Sequence, residues 1–138
     1  MKMMLCCGGG FSSSYVATRI QNEIKERGLE NEHSIEFFPF KMAMKAGKEK
    51  FKDYDVILLC PHLRLEVKEL VDEGYNEKPL YLLPPRIYGN MQLDDILYDS
   101  EDIIKIFNET HTNPVHFKDE DNVLKIKRAH AYRLENSD

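Results

Sequence analysis

The sequence predicts an α/β fold: a four-stranded parallel sheet, doubly wound, with flanking helices and a C-terminal extension. Three observations predict it. Short apolar runs alternate with helix-patterned stretches through residues 1–108. The connections between runs are roughly a dozen residues or more, long enough for crossover helices. One run, Val56-Ile57-Leu58-Leu59-Cys60, is continuously apolar, as in a central parallel strand covered on both faces.

The elements follow in order. Residues 1–6 read as a first strand, and residues 15–27 as a helix with Val16, Ile20 and Ile24 on one face. Gly28 offers a left-handed cap. Residues 33–38 have the β-branched and aromatic content of a strand, which Pro39 ends. Residues 41–52, rich in Met, Ala and Lys, predict a short helix that Gly47 interrupts, followed by the polar break Asp53-Tyr54-Asp55. The third strand, 56–60, stops at Pro61. Leu63, Val67, Leu70 and Val71 then mark an amphipathic helix ending at Glu73-Gly74. Residues 79–83 are a fourth strand closed by Pro84-Pro85, and residues 86–90 read as a loop. Leu93, Ile96, Leu97, Ser100, Ile103, Ile104 and Phe107 give a helical stripe over about 92–108.

Residues 1–108 thus form one domain and residues 109–138 an extension. Within the extension, 115–118 and 123–127 read as strands around an Asp119-Glu120-Asp121-Asn122 turn, an appended hairpin. The alternative is a partly disordered charged tail.

In a doubly wound sheet the strand-to-helix loops gather at one edge, and ligands bind at the switch point there. The stretch Leu5-Cys6-Cys7-Gly8-Gly9-Gly10-Phe11-Ser12-Ser13-Ser14 falls at that place, after the first strand. Three glycines let the backbone turn tightly, and three serines supply cap oxygens and hydroxyls. The unpaired N–H groups of the following helix make an anion site, and their field favours thiolate over thiol. The combination points to a cysteine that meets a phosphoryl group. His62, after the third strand, and the Arg86 to Tyr88 loop, after the fourth, arrive at the same edge.

Several other chemistries fit the stretch poorly. No Gly-Lys-Ser/Thr follows, so it is not a Walker loop. Ser13 stands where a dinucleotide fingerprint has its third glycine, and adjacent Cys6 and Cys7 are not a Cys-x-x-Cys pair. A cysteine phosphatase needs an arginine six residues after its nucleophile. Counting from Cys7 gives Ser13, and from Cys6 gives Ser12. Without that bidentate guanidinium, a phosphocysteine would be held but not hydrolysed quickly.

Composition narrows the class. The chain has 138 residues and a formal net charge of −5, with no basic stripe, which argues against nucleic acid as a partner. Three cysteines form no disulfide framework and suit a reducing cytosol. Apolar runs such as 56–60 and 80–83 are far too short to span a bilayer, and the N-terminal apolar stretch is too short for a signal peptide. A cytoplasmic protein is expected. His111, His116 and His130 lack metal-ligand spacing, so no metal is expected, and no organic cofactor is implied.

These residues carry a resemblance. Cys7-x-x-Gly10-Phe11-Ser12-x-Ser14, the run Tyr54 to Pro61 with its following helix, and Lys78-Pro79 through Tyr88-Gly89 resemble enzyme IIB of the lactose/cellobiose branch of the bacterial phosphoenolpyruvate-dependent sugar phosphotransferase system. The resemblance implies a phosphotransferase whose phosphorylated cysteine stands three residues before the glycine of the Gly-Phe-Ser turn, which selects Cys7. Gly8, Gly9, Gly10, Phe11, Ser12, Ser13 and Ser14 would cradle the phosphate, with His62, Arg86 and Tyr88 as neighbours. The phosphoryl group would come from a phosphohistidine of enzyme IIA and pass to a sugar held by the membrane permease, enzyme IIC. The sequence departs from the family's usual pattern at Pro61-His62, Leu83-Pro84 and Gln92-Leu93.

Two rival readings come from other classes. One is a regulatory or binding module that keeps this fold and senses phosphorylation through its tail. The other is a small cysteine phosphatase, which the missing arginine disfavours. Of the remaining thiols, Cys6 is expected to point into the core. Cys60 closes a neighbouring strand, where it is either a packed thiol or the partner of Cys7 in a reversible disulfide.

Overall fold

The computed structural model describes residues 1–8, 11–45 and 48–136. Four strands, β1 (Lys2–Cys7), β2 (Ser34–Pro39), β3 (Val56–Leu59) and β4 (Leu80–Leu82), make one sheet in the order β2-β1-β3-β4, every pair parallel. Its helices are α1 (Phe11–Glu26), α2 (Phe40–Lys45), α3 (Arg64–Asp72), α4 (Pro85–Asn90), α5 (Leu93–Thr110) and α6 (Tyr132–Glu135). The expected four-stranded parallel α/β fold is therefore the observed one.

Alternation along the strands sorts the core into two layers. Met3 and Leu5 of β1, with Val56 and Leu58 of β3, pack against Ile20 and Ile24 of α1 and Ile96 and Ile103 of α5. Met4 and Cys6, with Ile57 and Leu59, face the other side, against Phe40, Phe51, Val67 and Leu70. All four residues Val56 to Leu59 are buried, as a continuous apolar run requires. The helix stop after α1 is the one the sequence suggests. Gly28 adopts φ 70°, its N–H bonds the Lys25 carbonyl, and the Leu29 N–H bonds the Ile24 carbonyl, which satisfies the last-turn carbonyls.

Three expectations are corrected. Residues 41–52 are not one helix: α2 ends at Lys45, and a 3-10 segment runs Glu49–Asp53 after Lys48 takes a left-handed φ of 68°. Gly47, the expected interruption, lies outside the described residues. Residues 86–90 are not a loop but most of α4. Pro85 starts that helix in its first turn, where a missing N–H costs nothing, and Met91 ends it at φ 42°.

The extension forms no hairpin. Asn122 accepts the Leu124 N–H on its own side chain, which curls residues Val123–Lys125 into a 3-10 turn instead of a strand. The preceding chain pairs with the outer edge of β4 at Leu80: its N–H donates to Asn113 Oδ1 at 2.9 Å, and its carbonyl accepts the Val115 N–H at 2.9 Å. Val115 and Phe117 enter the same core layer as Ile103 and Tyr81. Phe117 meets the Tyr81 ring edge-on, with centroids 6.0 Å apart. The described part of this segment is docked on β4 instead of extending free as a tail.

Candidate functional site

Cys7 is the last residue of β1, and α1 begins at Phe11. β2 lies on one side of β1 and β3 on the other, so the direction of winding reverses at β1. The cysteine therefore stands at the switch point, where the loops of a parallel sheet open a crevice. Exposure separates the two adjacent thiols. Cys6 is fully buried in the core layer, whereas Cys7 is partly exposed at the strand end. Burial, followed by the neighbouring Cys60 and Cys7, pushes the Cys6 thiol up to about 12.

The ends of β3 and α4 close around Cys7. Cys60 Sγ lies 2.9 Å from Cys7 Sγ, and the Tyr88 hydroxyl lies 3.7 Å from it. Cys60 is fully buried. Burial raises its thiol to about 12, assisted by the hydrogen bond and charge of Cys7 and opposed by the backbone N–H groups of Gly8 and His62. Those two N–H groups are directed at the Cys60 sulfur. Tyr88, on α4, is half-buried and meets the His62 ring edge-on at 6.1 Å. The helical turn that replaces the expected loop is what brings its hydroxyl to the thiol.

The other expected site residues are placed as follows. His62 is exposed in the 3-10 segment Pro61–Leu63, and Arg86 is exposed on α4. Ser14 is exposed in the first turns of α1, with its carbonyl bonded to the Thr18 hydroxyl. Gly9, Gly10 and the side chains of Phe11, Ser12 and Ser13 lie outside the described residues. Among the described residues, no group of three or more His, Cys, Asp or Glu is placed to hold a metal ion.

An open groove beside the thiol is lined by Pro61, His62, Leu65, Pro85, Tyr88 and Leu124. Leu65 and Leu124 are exposed large apolar side chains there. Leu124 comes from the extension, and its position was not visible in the sequence, because the turn that delivers it depends on the extension docking on β4 and α5.

A family model described as "PTS system, Lactose/Cellobiose specific IIB subunit" matches residues 2–99. The match defines the chain first as a component of a sugar phosphotransferase system. More narrowly, the chain belongs to the lactose/cellobiose-specific IIB family, whose members work with IIA and IIC components. No curated protein matches the chain. Among the described residues, no helix is long and apolar enough to cross a membrane.

Proposed function

We propose that this chain is a IIB phosphocarrier of the cytoplasm, with Cys7 as its phosphorylated residue. The Cys7 thiolate attacks the phosphorus of a IIA phosphohistidine in line. The S–P bond forms as the N–P bond breaks, and the histidine leaves as neutral imidazole once protonated. The reverse geometry serves the second step, in which a sugar hydroxyl held by IIC takes the phosphoryl group and Cys7 is regenerated. No metal or organic cofactor enters either step.

The reading rests on one observation above all. Of three thiols, only Cys7 combines partial exposure with a place at the switch point, just ahead of a 16-residue helix. The N–H groups at that helix start are suited to the equatorial oxygens of the transferred group. Gly8 to Ser14 are assigned this cradle, although the Gly8 N–H is also shared with Cys60. The Tyr88 hydroxyl is a further donor within reach of the sulfur and of oxygens bound to it.

The test is reconstitution. Phosphoenolpyruvate, the two general phosphotransferase proteins and a matching IIA should load one phosphoryl group onto the chain, and Cys7→Ser should load none. Loading of Cys7→Ser to the parent level would remove the proposal.

A further inference from the structure

The geometry points to a modification site: Cys7 and Cys60 form a dithiol that a peroxide converts to a disulfide, with Cys60 as the resolving thiol. The two sulfurs are 2.9 Å apart, nearer than the 3.7 Å between Cys7 and the Tyr88 hydroxyl. The backbone supports the link. Cys6 pairs with Leu59 in the parallel ladder, and the Cys60 N–H bonds the Cys6 carbonyl at 3.1 Å. One step further along the same register brings Cys7 beside Cys60. Neighbouring strands lie about 4.8 Å apart, which falls within the roughly 4.4–6.8 Å that a disulfide spans between Cα atoms. Cys6 lies one ladder step back, where it pairs with Leu59 and is fully buried.

Access makes the two thiols unequal. Cys7 is partly exposed and Cys60 is fully buried, so a small oxidant reaches Cys7 first. The Cys7 thiolate attacks one peroxide oxygen. The O–O bond breaks, an S–O bond forms, the sulfur loses two electrons, and the displaced hydroxide or alkoxide takes a proton. Cys60 then attacks the sulfenic sulfur of Cys7. The S–S bond forms, the S–O bond breaks, and the departing hydroxide takes the Cys60 proton to leave as water.

The second step is helped by two local features. The Gly8 and His62 N–H groups aimed at Cys60 stabilise its developing thiolate. Conversion of Cys7 to a neutral sulfenic acid removes the charge that had opposed ionisation of Cys60. A dithiol reductant reverses the link, returning both thiols while it is itself oxidised.

If Cys7 is the phosphoryl acceptor proposed above, the disulfide leaves it no thiolate with which to attack phosphorus. Oxidation therefore switches the carrier off, and reduction switches it on. The switch rests on that proposal; the cross-link does not.

Limited hydrogen peroxide treatment of the full chain tests both. Expected is a loss of two hydrogens from the intact mass and a linked peptide pair containing Cys60, whose fragmentation assigns the bond to Cys7. Dithiothreitol should restore the original mass. In Cys60→Ala, Cys7 should accumulate irreversible sulfinic acid at least about tenfold faster than in the parent. Should that variant not fold, the parent's linked peptide decides alone. Oxygen addition without cross-linking, or a bond to Cys6, overturns the dithiol. Phosphoryl loading of the cross-linked chain at the reduced chain's level overturns the switch. A reduced chain that accepts no phosphoryl group at all refutes the carrier reading, and the mass readout still decides the cross-link.

Discussion

Arg128 Nη1 donates to Asp99 Oδ2 at 2.8 Å, and the two side chains are only 6 % and 1 % exposed. The same guanidinium donates to both oxygens of Glu120 and to the Tyr81 hydroxyl, and lies over the rings of Phe117 and Tyr132. Burial raises the Asp99 carboxyl, and the Arg128 cation opposes that rise. Arg128 itself is held firmly charged, because Glu120, Tyr81 and Asp99 outweigh its own desolvation. One cation from the extension thereby ties α5, β4 and the extension together.

Removing that cation strands a buried carboxylate. Arg128→Ala should lower unfolding stability by about 3–5 kcal/mol. Arg133→Ala removes an ion pair with Asp102 whose side chains are 42 % and 29 % exposed, and should cost less than about 1 kcal/mol. Urea unfolding of both variants measures the contrast, and equal losses would show that Arg128 is no keystone. Deleting the extension would also uncover Leu80 and Tyr81, against which Asn113, Val115 and Phe117 pack, so a truncated chain that fails to carry phosphate would not by itself mark the extension as a regulatory element.

Thiol reactivity should follow exposure. Burial holds Cys6 and Cys60 as thiols to about 12, so brief iodoacetamide treatment at neutral pH should label Cys7 first. Peptide mapping reads the order. Prior labelling of Cys60 or Cys6 would mean that the opening lies elsewhere.

The same burial gives an alkaline limit to stability. The folded state keeps Cys6 protonated to about 12, whereas the unfolded thiol ionises near its ordinary 9.0. The contribution is present in full below pH 9 and is lost as pH rises towards 12. Its size at the top of that window is on the order of 4 kcal/mol. Cys6→Ala should therefore flatten the fall in melting temperature across this range. An unchanged slope would assign the fall to other groups.

What the sequence revealed, and what it hid, has a physical pattern. The strands were legible as apolar or β-branched and aromatic runs, β1 stopped by glycines and the other three by prolines, and α1 because Gly28 marks its cap. Pro84-Pro85 hid α4, since proline both ends strands and starts helices. The extension misled because Leu124 and Ile126 alternate with lysines as in a strand, while its real fixings are distant side chains on α5: Asp95 and Asp99 accept the Ala131 and Tyr132 N–H groups. Arg128 sits in the basic run Lys125 to Arg128 and reads as solvated. The place of Cys7 was readable from the order of elements. Its contact with Tyr88 was not, because it depends on a helical turn that the sequence concealed.

That contact should matter to rate more than to fold. Tyr88→Phe removes one hydroxyl 3.7 Å from Cys7 and leaves the ring against His62. Phosphoryl acceptance from IIA should slow by about tenfold, the value of one hydrogen bond of about 1.4 kcal/mol, with the melting temperature little changed. An unaltered rate would reduce Tyr88 to packing.

The most direct measurement is the position of the phosphoryl group after loading by IIA. Intact-mass spectrometry counts the groups, and fragmentation of the peptide that holds both Cys6 and Cys7 separates the two sulfurs. The cysteine-carrier mechanism predicts one group per chain, on Cys7, stable without sugar and permease because no arginine follows at the phosphatase position to assist hydrolysis. A group on His62 or Cys6, or none at all, would contradict it.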